Sequence, residues 1–374
     1  MSYILELAKS TSPIIKNGRV FEPNYIPDTV IGRKKQQKEM WPTLSYLMTG
    51  QPAHHLLLTG LNGTGKTVMI KSILRDLETV ASFKTIYLRG MRDPKPNAVM
   101  RDLSEAAGID LSSKDESVAS LIAKLDAHIS STDIPTIFVF DEIDFFFSKD
   151  MWAILNYIVR EQRMATVIGT SNDLRVLDKI PDKKLASVFK PKEVVFPPYE
   201  LEELRDILDA RAAEALYADA LDNTVVPLCA AFAVQHSQGD ARHAIFLLSK
   251  AAEICFENQR KKVTEADVRE AEVSLESEMF DSTKKVLTKR HKDILKLLIE
   301  RPEMRRAELL EKYEHTSGET ISTVWIAKEF RILEDLGLIT RWSRGKGKGR
   351  GVSWMISLND DVDKKRLSDF LESD

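Results

Sequence analysis

Short, continuous apolar runs punctuate the first two hundred residues, at 56–58, 85–88, 136–140, 166–169 and 193–196. Helical stretches separate them, a pattern that predicts a parallel sheet with both faces covered. Residues 1–30 are turn-rich, with Pro13, Asn17-Gly18, Pro23 and Pro27, and residues 1–20 read as an N-terminal arm. Met40, Leu44 and Leu47 mark a helix ahead of the first strand, and Pro197-Pro198 closes the last one. An α/β domain over residues 1–198 is expected.

Helical periodicity then takes over at 200–215, 226–238, 240–258 and 265–276. Ser237-Gln238-Gly239 is a helix stop, and Thr264 followed by Asp267 is a helix start. These segments predict a small all-helical domain over 199–283. Beyond it, residues 288–301 bury Ile294, Leu295, Leu297 and Leu298, and residues 306–313 bury Leu309 and Leu310. A third helix, 320–336, buries Ile321, Val324 or Trp325, Phe330, Leu333 and Leu336. Residues 337–342 and 352–356 read as a two-stranded hairpin. Three helices followed by such a wing predict a winged-helix domain over 284–374.

A chain of 374 residues accommodates two or three domains, and 43% hydrophobic with 30% charged residues is the balance of a soluble globular protein. No apolar run reaches the roughly 20 residues of a membrane span, and the N-terminus lacks a secretory pattern. Cys229 and Cys255 stand alone on helical patterns, so neither a disulfide framework nor a zinc site is expected. A cytoplasmic protein without membrane contact follows. The net charge of −3 hides an asymmetry: residues 284–350 carry 17 Lys+Arg against 10 Asp+Glu, whereas residues 351–374 carry 3 against 6. A basic module on an acidic body points to a polyanion partner.

The chemistry starts at residues 60–67, Gly-Leu-Asn-Gly-Thr-Gly-Lys-Thr, which is the full phosphate-loop pattern between an apolar run and a helix. Gly60, Gly63 and Gly65 let backbone N–H groups turn inward as an anion nest, and the next helix aims its positive end at the same phosphates. Lys66 supplies a cation for the β- and γ-phosphates, and the Thr67 hydroxyl can ligate Mg²⁺. Asn62, Thr64 and Val68 complete the candidate contacts for ATP or ADP. The run at 136–140 ends in Asp141-Glu142: one acid at a strand end can organise Mg²⁺ and its neighbour can orient and deprotonate water. Asp141 fits the first role and Glu142 the second. Asn172, closing the next strand, either holds the water or γ-phosphate or simply makes an Asx turn.

Together these features resemble the AAA+ ATPases, and within them the archaeal origin-recognition and cell-division-cycle replication initiator family. The resemblance spans roughly residues 20–360. It implies an α/β AAA+ parallel-sheet P-loop domain, a helical lid and a C-terminal winged helix. Asn24-Tyr25-Ile26-Pro27 and Ile31-Gly32-Arg33 resemble the segment that encloses adenine, making Tyr25, Ile26, Ile31, Gly32 and Arg33 candidate nucleotide contacts. Residues 195–199, ending in Tyr199, are similar to the strand-to-lid junction. Gly239-Asp240-Ala241-Arg242 resembles the lid motif whose arginine reaches the γ-phosphate; on the residues alone Arg242 is an exposed helix arginine. Lys184 stands where the family carries an arginine that serves a neighbouring subunit's ATP. A lysine lacks the planar fork, so weaker trans stabilisation and slow hydrolysis are expected.

The wing carries Arg341, Arg344, Lys346, Lys348 and Arg350 with no acid between them, separated by glycines that let it follow a phosphate ridge or enter a minor groove. Thr320, Ser322, Thr323 and Lys328 on the third helix are the candidate major-groove readers. The resemblance also places a DNA-contacting helix at residues 148–160; period 3.6 alone makes Trp152, Leu155 and Ile158 a core stripe, and both readings stand. The expectation is an ATP-dependent replication initiator on origin duplex DNA, associated with the nucleoid, with other initiator subunits and the replicative helicase as further partners. The competing expectations are a loader-type AAA+ ATPase that docks proteins through the winged helix, and a nucleotide-binding DNA regulator that does not hydrolyse.

Overall fold

The computed structural model describes residues 14–372, apart from 91–94, 112–115, 132, 148–150, 181, 319–322, 346–351, 360–361 and 363. It divides into two compact units, residues 1–272 and 273–374. In the first, five parallel strands run β1 (Leu56–Thr59), β2 (Lys84–Arg89), β3 (Thr136–Asp141), β4 (Ala165–Ser171) and β5 (Lys192–Val195), in the spatial order β2-β3-β4-β1-β5. Every residue of β1, β3 and β4 is buried. The period-2 pleat sends Phe138 and Phe140 of β3 to one face and Ile137 and Val139 to the other. Two cores result, one on each side of the sheet.

Helices α1 (Lys34–Leu44) and α2 (Lys66–Leu77) contribute Met40, Leu44, Met69 and Ile70 to the first core. The second is covered by α3 (Pro96–Ala106), α4 (Val118–Ser130), α5 (Trp152–Glu161) and α6 (Lys183–Val188). Within α5, Leu155 and Ile158 are fully buried and Trp152 packs half-buried against them. Those three positions therefore lie with the core; residues 148–150 of the expected DNA-contacting segment fall outside the described residues. The edge strand β5 is blunted by α1: Gln36 Nε2 donates to the Val195 carbonyl at 3.2 Å, and Lys192 Nζ to the Glu39 carbonyl.

Four helices follow the sheet: α7 (Leu201–Ala215), α8 (Val225–Ser237), α9 (Ala241–Glu257) and α10 (Glu265–Val286). Ala212, Ala230, Ala233, Ala244 and Ala251 are buried among them, so their axes approach closely. The N-terminal arm is tied to this layer, with Ile15 bridged to Leu216 and the amides of Lys16 and Asn17 donating to the Ala215 carbonyl. The residue 283/284 boundary expected from the sequence falls inside α10.

The second unit holds the rest of α10, then α11 (Lys289–Glu300), β6 (Glu303–Arg305), α12 (Arg306–Ser317), α13 (Thr323–Asp335), β7 (Ile339–Gly345), β8 (Val352–Leu358) and α14 (Lys364–Glu372). Its antiparallel sheet runs β6-β8-β7. Ile294, Leu298, Leu309, Phe330 and Ile356 form one core, closed by Leu367 and Leu371 of α14. Buried His291 bridges α11 to α13, its Nε2 lying 2.5 Å from Glu329 Oε2.

Candidate functional site

Parallel strands bring their carboxyl ends to one edge, where Thr59 is level with Ser171 and Arg89 with Asp141. A cavity of about 540 Å³ opens there between the sheet edge, α2 and the lid helices α7 and α9. The loop from β1 to α2 enters it with Gly60, Gly63 and Gly65 all at positive φ. Gly63 permits nothing larger: a Cβ there would lie 1.6 Å from Asp240 Oδ1. Asp240 caps α9, accepting from the Arg242 amide at 2.7 Å, and the Ala241 amide donates to the Gly63 carbonyl at 3.3 Å. Helix α9 of the lid thus begins on top of the phosphate loop.

Lys66 opens α2 and is nearly buried; its ammonium donates to the carbonyls of Gly60 (2.6 Å) and Leu61 (2.7 Å) and to Asn172 Oδ1 (2.9 Å). Burial and then the Arg242 cation depress its pKa to about 8, with Asp141, Asp144 and Asp240 pulling the other way. Such a cation is poised to gain from an arriving phosphate. Arg242 itself is exposed, on the first turn of α9, and lines the same cavity.

Asp141 accepts from three hydroxyls: Thr67 (2.9 Å), Thr170 (2.7 Å) and Tyr87 (2.8 Å). Thr170 Oγ1 also accepts from the Glu142 amide at 2.9 Å. That bond holds Glu142 at φ 66, a conformation uncommon outside glycine, which turns its backbone away from the strand direction. The polar turn after β4 is built by Ser171 and Asp173, whose side chains accept the amides of Asp173 and Arg175. Asn172 takes no side-chain part in that turn and faces Lys66 instead.

Of the residues named from the sequence, Tyr25, Ile31, Asn62, Gly63, Thr64, Gly65, Lys66, Thr67, Val68, Asp141, Glu142, Asn172, Tyr199 and Arg242 line the cavity. Ile26, Gly32, Arg33 and Gly60 do not. Arg33 lies behind the loop, 1% exposed, with its guanidinium on backbone carbonyls. Sequence reasoning missed Tyr87, Thr170, Arg89 and Lys71 at the acid end. At the far end it missed Ile207 and Arg211, the latter 4.4 Å over the Tyr25 ring and bonded to the Val20 carbonyl. The Gly169-Thr170-Ser171 strand end was a usable signal for Thr170; Tyr87 and Arg211 sit in ordinary strand and helix patterns.

In the C-terminal unit, Lys328 is exposed on α13 and Thr323 begins that helix. Arg341 at the base of the hairpin is committed to Glu334, Nε to Oε2 at 2.8 Å. Arg344 lies on β7, while Thr320, Ser322, Lys346, Lys348 and Arg350 fall outside the described residues.

The oxygen donors at the acid end, one hydroxyl and one carboxylate, are hard ligands of the kind Mg²⁺ takes. The positive helix end, the turned loop and Lys66 form an anion cradle beside them. The arrangement fits a nucleoside triphosphate with its magnesium.

Comparisons with known proteins agree with this geometry. Residues 49–176 match the AAA domain family, and residues 205–273 the Cdc6 AAA+ ATPase-type lid domain. An ORC1-type DNA replication protein of Methanothermobacter thermautotrophicus is 32% identical over 360 residues, covering 95% of this chain and 96% of the relative. ORC1-type DNA replication protein 1 of Aeropyrum pernix is 30% identical, covering 97% and 96%. Among solved structures, the Aeropyrum pernix ORC1 protein in complex with DNA superposes with a TM-score of 0.79 at 29% identity, over 97% of this chain and 98% of that one.

Proposed function

Since the chain belongs to the ORC1-type DNA replication protein family of AAA+ ATPases, we propose that it is a replication initiator that binds origin duplex DNA and uses ATP as a switch. The observation that carries the nucleotide half is the meeting of Lys66, Asp141 and lid Arg242 on one cavity. Thr67 and Asp141 would hold Mg²⁺, which when bound neutralises charge on the β- and γ-phosphates. Lys66 and the amides of the loop bind and orient the phosphates, and Arg242 adds a cation from the lid. Glu142, its backbone fixed by Thr170, orients the attacking water and takes its proton. Asn172, already hydrogen-bonded to Lys66, positions that water or the γ-phosphate.

Lys184, exposed on the first turn of α6, offers a neighbouring subunit a point charge in place of a fork, so hydrolysis should be slow. A slow ATPase suits a state switch better than continuous work. For DNA, the helix–strand–helix–helix–hairpin order of the second unit supports a winged helix, with α13 as reader and the basic hairpin on phosphates. The DNA-bound state of the Aeropyrum pernix protein supports the same reading.

Footprinting on intergenic DNA of the protein's own replicon, with and without ATP·Mg²⁺, tests both halves. A protected site whose extent changes with ATP in the parent protein, but not in Lys66→Met, is expected. Protection indifferent to ATP would leave DNA binding and remove the switch.

A further inference from the structure

We propose that Arg33 is a positioning residue that ties the phosphate loop to the lid, and that it never touches nucleotide. The proposal rests on reading the cleft as a nucleotide site. Arg33 is the largest fully buried side chain among the described residues, an unusual fate for a permanent charge. Its planar fork reaches three separate pieces of chain. Nε donates to the Thr64 carbonyl in the phosphate loop at 3.1 Å. One terminal nitrogen donates to the Pro197 carbonyl, in the junction between β5 and the lid, at 2.8 Å. The other donates to the Gly32 carbonyl at 3.2 Å and lies 3.6 Å from Glu203 on the first turn of α7.

Tyr199 completes the assembly. Its ring stacks on the guanidinium at 3.5 Å, and its hydroxyl lies against Gly65, where a Cβ would be 2.5 Å away. Gly32 is what lets these groups close up: a Cβ on it would meet Glu203 Oε1 at 2.8 Å and Tyr199 Cε1 at 3.2 Å. One rigid cation therefore joins loop, junction and lid helix, with its charge balanced by a carboxylate and a ring face. Releasing it toward a phosphate would strip three carbonyls of their donor in a buried place. Holding it there makes any shift of the Thr64 carbonyl a shift of Pro197 and α7. The Asp240 contact on Gly63 is the lid's second hold on the same loop.

The test is hydrogen exchange by mass spectrometry on the full chain, with and without ADP·Mg²⁺, alongside calorimetric nucleotide affinity. In the parent protein, nucleotide should slow exchange in both the phosphate loop and α7–α9. In Arg33→Lys, which keeps the charge without the fork, affinity and loop protection should stay near parental values. The nucleotide-induced protection of α7–α9 should fall at least about fivefold. Glu203→Gln, altering a group at the solvent edge of the cluster, should give a smaller loss in the same direction and serves if Arg33→Lys does not fold. An intact lid response in the folded variant overturns the proposal. So does an affinity loss of about a hundredfold, the mark of a direct ligand contact. If the parent protein neither binds ADP nor responds, the cleft reading itself has failed, whatever Arg33 does.

Discussion

Around the phosphate loop the protein's own groups organise the charge: Lys66 donates to three oxygens and Asp141 accepts from three hydroxyls. In the C-terminal unit residues 341–350 carry five basic residues and no acid in sequence, and Arg341 pairs with Glu334. The first arrangement is built in a buried, low-dielectric place, where each bond fixes a direction and salt has little access. The second is a run of like charges along the sequence, whose attraction for a polyanion would be long-ranged, sequence-blind and screened by salt. Under the proposed function, chemistry and geometric discrimination belong to the cleft, and capture and tunable affinity to the hairpin.

The largest effect should come from the cleft. Glu142→Gln keeps the size and backbone of the side chain but removes a base, so ATP turnover should fall by about 10²-fold or more. Nucleotide affinity should hold, because Lys66, Thr67 and Asp141 keep their partners. Steady-state ATPase assays beside calorimetry check this, and undiminished turnover would move the base role elsewhere.

The hairpin should respond to salt in a way the cleft cannot. With Arg341 held by Glu334, the proposed DNA site leaves four basics, Arg344, Lys346, Lys348 and Arg350, for phosphates. Replacing these four by glutamine should reduce the slope of log K against log[salt] by up to about 3.6 units. Filter binding across a salt series reads the slope directly. A slope that does not move would assign the phosphate contacts to another surface, and nucleotide affinity should be untouched in the same variant.

How much of this contrast was legible in the sequence depends on how far apart the partners lie. The phosphate loop, Asp141-Glu142 and the lid motif are short and local, and their side chains do meet on one cavity. Tyr87 could not be found that way, because it reaches Asp141 only through the pairing of two strands 54 positions apart. A local motif cannot say which way a guanidinium points: Arg33 belongs to the segment that resembles the adenine-enclosing one, yet its side chain is buried behind the loop. Strand β6 is three residues long, and α14 follows an acidic stretch, so neither announced itself. Yet Met304 of β6 and Leu367 and Leu371 of α14 complete the core of the second unit.

Acid–base linkage gives a milder test of the cleft. Burial and the Arg242 cation depress the Lys66 pKa to about 8, and a bound phosphate must raise it. Below pH 8 the ammonium is already charged and binding needs no proton. Above pH 8 binding must take one up, so nucleotide affinity should fall by as much as about tenfold per pH unit. Calorimetry in buffers of different ionisation enthalpy should show proton uptake on that limb only.

The smallest effect tests whether Arg341 belongs with the buried network or the solvated wing. Its side chain is 26% exposed and that of Glu334 is 34%, intermediate between the two regimes. A pair so placed is partly screened, so a double-mutant cycle of Arg341→Ala and Glu334→Ala in urea melts should give a coupling of no more than about 1 kcal/mol. If the pair is structural, Arg341→Ala leaves the salt slope of DNA binding unchanged while lowering stability slightly. If the slope falls by about one unit instead, Arg341 exchanges Glu334 for a phosphate on binding. The acid would then be a placeholder that keeps the hairpin base ordered until DNA arrives.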